Sequence, residues 1–177
     1  VSINQRLDAE AITVIADEFG YDVQFISAED EVIATEESDR DVRPTSKVGL
    51  RLPLHASAAA RVILAYLDPV RQLAFLQAQA HEALTEKTRT SIQDIRSELD
   101  LTRARGYALE IEEFQLGRLS VAAPIFDIEG SPVGAVSVSA SLERLNVSQA
   151  HSLSATLIGV ARRISHNAGG QSMSIEP

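Results

Sequence analysis

Cysteine is absent from the 177 residues, which excludes disulfides, thiolate nucleophiles and cysteine metal ligands together and fits a cytoplasmic location. Apolar runs are also short. None approaches the ~20 residues of a membrane span, so no contact with a bilayer is expected. Positive charge is in deficit: the formal net charge of −9 repels phosphate backbones, and this stretch alone is a poor match for DNA or RNA. Familiar catalytic signatures are missing too. There is no G-x-S-x-G elbow and no phosphate-binding loop, and His81-Glu82 begins a zinc-peptidase pattern that fails at Thr85. His55, His81, His151 and His166 are scattered without metal-ligand spacing. Neither metal nor cofactor is expected, and the lack of a nucleophile–base pair makes a small enzyme the weakest reading. The chain starts at Val1 without a signal-peptide pattern, as expected of a fragment cut near a domain boundary of a longer protein.

What is present is ordinary for a folded domain: 45% hydrophobic and 23% charged residues, enough chain for one compact core. Leu7, Ala11, Ile12, Ile15, Ala16 and Phe19 recur at helical spacing before Gly20. Tyr21, Val23 and Phe25 alternate as a strand, followed by a hairpin turn "SAED" and a second strand at 31–35. An acidic loop covers 36–41, and 42–50 reads as an edge strand or loop interrupted by Pro44. A helix opening at His55 or Ser57 has the stripe Ala59, Val62, Ile63, Tyr66 and Leu67. Asp68-Pro69 starts another, expected to run to about His81 with Val70, Leu73, Ala74 and Ala80 inward. Thr90-x-x-Gln93 has capping-box spacing ahead of Ile92, Ile95, Leu99 and Thr102, and Gly106 follows that helix. A short strand at 107–110 precedes a hairpin turning at "DIEG", residues 127–130. Ser148 is expected to open a last helix with Leu153, Leu157, Val160, Ala161 and Ile164 on one stripe.

Helix, strands, helices, strands, helix is an α+β order: a mainly antiparallel sheet with terminal helices on one face and the middle segment on the other. In the hairpin "RLSVAAPIFDIEGSPVGAVSVSAS", Val121, Ala123, Ile125, Val136 and Val138 form a branched apolar face. The opposite face carries Ser120, Ala122, Ala135, Ser137 and Ser139, small residues with hydroxyls. Such a face either meets water or walls a cavity, and composition alone favours water.

The ordered set "LPLHASA", "RGYA", an acidic pair "EE", "VAAPIFD" and "A-x-S-V-S" resembles the effector-binding domain of IclR-type bacterial transcriptional regulators. The resemblance covers most of the chain. It implies a GAF-like fold over residues 1–168 and a winged helix-turn-helix that this chain does not contain; the terminal sequence "GGQSMSIEP" itself reads as a flexible tail, at 169–177. The resemblance also implies a small-molecule effector, a carboxylate or other organic or aromatic acid, with homodimer or tetramer assembly and operator DNA bound only through the missing domain.

Carried over motif by motif, the resemblance points to Leu52 as part of an apolar lid and to the amides of Ala58 and Ala59 as an anion site. It also points to Glu110, Ser120, Ser137 and Ser139, and so tips the serine face toward a cavity. Arg118, two residues before Ser120, would suit a carboxylate if it pointed the same way; a surface arginine after Gly117 is the simpler reading. Glu112 and Glu113 cannot both face one site from an extended segment, which argues against a two-carboxylate hydrolase. His55 reads as structural, and Arg162 and Arg163 as solvent-facing. Ala60-Arg61 stands where many members have Gly-Lys, Ala140 where many have glycine, Ser120 for cysteine and Glu110 for aspartate. A GAF-like assembly module without an effector is the alternative.

Overall fold

In the computed structural model, the described residues are 52–167 together with the backbone of 22–27 and 32–33. The elements are β1 (Asp22–Ser27), β2 (Val32–Ile33), α1 (Ala58–Tyr66), α2 (Pro69–Ala78), α3 (Ile92–Arg105), β3 (Ala108–Ile111), β4 (Arg118–Phe126), β5 (Pro132–Ser141) and α4 (Val147–Asn167). The five strands form one antiparallel sheet in the order β2-β1-β5-β4-β3. The expected helix over Leu7–Phe19, the "SAED" turn, the segment 34–51 and the tail 169–177 lie outside the described residues.

Alternation along the central hairpin separates the two faces as its sequence pattern implies. Val121, Ala123, Ile125, Val136 and Val138 join Leu157, Val160 and Ala161 of α4 in one core. On the other face Ala108, Ala122 and Ala135 meet Ala58, Ala59 and Val62 of α1. With methyl groups on both sides, α1 packs close to the sheet. A third cluster of Leu64, Ala65, Leu76, Ile95 and Leu99 joins α1 to α2 and α3.

Helix ends follow local chemistry, with three differences from the sequence pattern. Asp68 caps α2 as expected, accepting from the amides of Val70 and Arg71. The cap of α3 is Ser91, one residue later than the Thr90-x-x-Gln93 expectation: its hydroxyl accepts from the Asp94 amide at 3.0 Å and donates to the Asp94 carboxylate at 2.6 Å. Asn146 and Gln149 exchange amide bonds at 2.9 Å, so α4 opens at Val147 rather than Ser148. Gly106 ends α3 with φ 82°, a left-handed conformation suited to glycine.

The third difference is α2. It stops at Ala78, short of His81, and its only buried side chain is Leu76. Val70, at 76% exposed, and Leu73, Ala74 and Ala80 face outward, against the inward stripe expected of them. Gln72 donating to the Leu64 carbonyl at 3.0 Å, with the Asp68 cap, fixes a rotation that sends Leu76 into the third cluster.

Two arginines occupy carbonyls of the β3 segment. Arg105 Nε donates to the Tyr107 carbonyl at 2.7 Å, and Arg61 Nη1 to the Leu109 carbonyl at 3.0 Å.

Leu76→Ala is expected to cost about 2–5 kcal/mol of stability. Val70→Ser is expected to stay within about 0.5 kcal/mol of the parent. Urea unfolding of the two variants checks the rotation of α2.

Candidate functional site

The start of α1, the β3–β4 turn and the polar ends of β4 and β5 enclose a cavity of about 40 Å³. Strand register builds its floor, because Glu110 pairs with Ser120 and Ser120 with Ser139 directly across the sheet. Asp22 occupies the next position of that row, opposite Ser139. The neighbouring row sets Ala108 against Ala122, and Ala122 against Ser137. Small side chains in both rows leave the space that α1 does not fill.

All eight residues singled out from the sequence line this one cavity: Leu52, Ala58 and Ala59 on the α1 side, Glu110, Arg118 and Ser120 on β3 and β4, and Ser137 and Ser139 on β5. Ser137 is 4% exposed, so that part of the serine face is covered rather than wet. Arg118 lies at the cavity, not on the open surface expected of a residue after Gly117, and its Nη2 donates to Ser139 Oγ at 3.2 Å. Ser120 Oγ donates to Ser139 Oγ at 3.0 Å, or turns the same single proton to the Glu110 carboxyl. A continuous line of polar groups thus crosses the floor from a guanidinium through two hydroxyls to a carboxyl.

Three further lining residues were missed: Ser57, Phe114 and Gln115. Ser57 is the N-cap position of α1, yet its side chain makes no capping bond to the first-turn amides. Its place immediately before the alanine pair was the available signal. Phe114 and Gln115 come from the β3–β4 turn, where Glu112 adopts φ 58° and Gly117 φ 75°. That left-handed step sends the two adjacent glutamates apart, consistent with the reading that they do not share a site. Glu112 turns out to Lys87 and accepts from the Gly117 amide, whereas Glu113 turns inward.

Arg61 is the residue to which sequence spacing gave no role. It is 1% exposed and holds both oxygens of Glu113, Nη1 at 3.0 Å from Oε1 and Nη2 at 2.8 Å from Oε2. Nη2 also donates to the His55 carbonyl at 2.8 Å. Arg89 pairs with Glu113 from the other side and reaches Glu98 at 3.3 Å, and Arg105 closes on Glu98 at 2.6 Å. The loop before α3 is tied to the same turn, for Thr85 and Thr88 hydroxyls each donate at 2.6 Å, to the carbonyls of Glu112 and Glu113 respectively.

Glu110 is 2% exposed, and its Oε1 accepts from the amides of Glu113 at 2.7 Å and Phe114 at 3.0 Å. Burial pushes its pKa above the ordinary glutamate value, while the two amides and Ser120 pull against that rise. His55 is structural, as its sequence context implied: Nε2 is 2.9 Å from the Glu82 carbonyl and its ring meets His81 edge-on at 5.2 Å. Burial, then the neighbouring His55, hold His81 below the usual imidazole value. Among the described residues no group of three or more His, Asp or Glu side chains is placed to hold a metal ion, and no helix is long and apolar enough to cross a membrane.

An antiparallel α+β domain with a covered polar cavity between its sheet and one helix is the class these features define. Residues 9–166 match the family model described as bacterial transcriptional regulator IclR, C-terminal, and the chain belongs to that family. Over 105 residues it is 42% identical to the glycerol operon regulatory protein of Streptomyces coelicolor, covering 59% of this chain and 41% of that protein. It is 32% identical over 129 residues to the transcriptional repressor IclR of Escherichia coli, covering 73% and 47%. The crystal structure of IclR from Thermotoga maritima superposes with a TM-score of 0.82 at 28% identity, covering 94% of this chain and 69% of that one. The chain thus spans under half the length of the two curated relatives. The family is one of bacterial transcriptional regulators.

Two stability outcomes test this geometry. Arg61→Met leaves Glu113 buried without its forked partner and is expected to cost about 3–5 kcal/mol in chemical unfolding. A carboxyl whose native pKa is raised binds more protons folded than unfolded between its two pKa values, so it loses stability as pH rises through that window. Glu110→Gln is therefore expected to gain stability relative to the parent as pH rises above the ordinary glutamate value. A pH-independent difference in paired urea titrations would overturn that account of Glu110.

Proposed function

We propose that this is a GAF-like sensor domain of an IclR-family regulator that binds a small organic or aromatic acid. The observation that carries the reading is the joining, in one cavity, of the start of α1 with Arg118, Ser120, Ser137, Ser139 and Glu110. The carboxylate meets the amides of Ala58 and Ala59 at the positive end of α1, with Arg118 as a second donor. The rest of the acid lies against the serines, and Glu110 receives whatever hydroxyl it carries. At about 40 Å³ the cavity holds only a water or two. Small-molecule pockets usually span ~300–1,000 Å³, so entry requires lining side chains to move aside.

In the longer regulator the domain works in the cytoplasm as a homodimer or tetramer, and operator DNA is gripped by a winged helix-turn-helix outside this chain. The acid changes operator affinity by its differential affinity for two subunit arrangements, typically ~1–3 kcal/mol of coupling. Names of relatives support a role in transcription: one is an operon regulatory protein and one a repressor. The small volume favours a second reading, an assembly module that binds no effector.

A thermal-shift panel of mono- and dicarboxylates, keto acids and aromatic acids separates the two readings. An acid at ~100 times its dissociation constant is expected to add ~2.7 kcal/mol, raising the midpoint by about 5–10 °C. Ser137→Leu is expected to abolish that rise without changing oligomer size by light scattering. A panel without any shift leaves an effector of another class or the assembly reading, and a Ser137→Leu variant that binds like the parent moves the site elsewhere.

A further inference from the structure

Glu110 reaches the cavity with its carboxyl held by main-chain amides of the turn that follows it. One of those amides belongs to Glu113, whose own carboxylate is gripped by Arg61. The guanidinium that grips it also binds the His55 carbonyl, two residues before Ser57 and the start of α1, and the Leu109 carbonyl, next to Glu110 in β3. Both walls of the cavity therefore hang on one buried side chain that does not itself line the cavity.

We propose that Arg61 is a positioning residue of this site: by holding Glu113 it sets the Glu110 carboxyl at a fixed place relative to the amides of Ala58 and Ala59. Four bonds in a planar fork define that spacing in a way lysine cannot reproduce. An ammonium has three donors on a flexible stem, too few to hold two carboxylate oxygens and two carbonyls at once. The charged groups around Glu110 are consistent with a positional rather than a direct electrostatic role. Glu113 is its acidic neighbour in the turn, Arg118 faces the same cavity from β4, and the charges of Arg61 and of Arg89 in the loop before α3 are spent on Glu113.

The inference rests on the sensor reading only in treating the cavity as a binding site, and its test needs no ligand. In Arg61→Lys, amide hydrogen exchange at Glu113 and Phe114 is expected to accelerate about tenfold more, through the loss of one charge-assisted bond, than at Val160 and Ala161 in α4, whose rates follow global stability. The Glu110 carboxyl, followed by carbon NMR, is expected to titrate at higher pH than in the parent, because the amides that favour its charged form have moved. Glu113→Gln keeps the side-chain volume and is expected to release the same two amides, so the test survives poor folding of the lysine variant.

A merely structural arginine would raise exchange uniformly through the domain and leave the Glu110 titration where it was; that result overturns the proposal. If the acid panel is silent while the two amides are locally released, the acid-effector reading falls and the positioning role stands.

Discussion

Arg61 and Glu113 meet in the interior, nearly closed to solvent, and the segments around the cavity are arranged about that pair. Removing two charges from water costs several kcal/mol each, recovered only where every donor and acceptor is answered. Here they are: the guanidinium faces two carboxylate oxygens and two carbonyls, and Glu113 takes a second arginine. Replacing such a pair by well-packed apolar groups is often neutral for stability. What the pair secures is geometry. It pins the entry of α1, the middle of β3 and the turn after β3 to one rigid plane.

The cavity follows from that constraint together with the choice of small residues. Alanines at 58, 59, 108, 122 and 135 let α1 approach the sheet, and serines at 120, 137 and 139 continue the same face where the helix begins. The polar floor then follows from register, since Glu110, Ser120 and Ser139 are direct cross-strand neighbours. From Glu98 outward, the chain of charges links this turn to α3, so the cavity wall and that helix share a support.

Alternation made the two sheet faces legible, because Val136 and Val138 can only oppose Ser137 and Ser139 once the strand exists. The ordered motifs then brought together residues as distant as Leu52 and Ser139. Periodicity failed at α2: Val70, Leu73 and Ala74 form a correct helical stripe, but a cap and one glutamine bond decide which way it faces. Caps were misplaced by a residue or two, as at Ser91 and Asn146, because several polar residues stand near each helix start and only backbone geometry selects one. Arg61 was invisible for a different reason. A charged residue inside an apolar helical stripe has no partner within reach in sequence, and Glu113 is 52 residues away.

The arginines that bind carbonyls of the β3 segment have a consequence beyond the cavity. An outer strand with open carbonyls and amides is a template on which a neighbouring chain can add a strand of its own. At Tyr107 and Leu109 those acceptors are already taken, by Arg105 and Arg61. Continuation of the sheet into another molecule along this edge would have to evict two guanidinium groups, one of them buried. Along this edge a neighbouring chain is thereby offered side-chain surface rather than a backbone ladder.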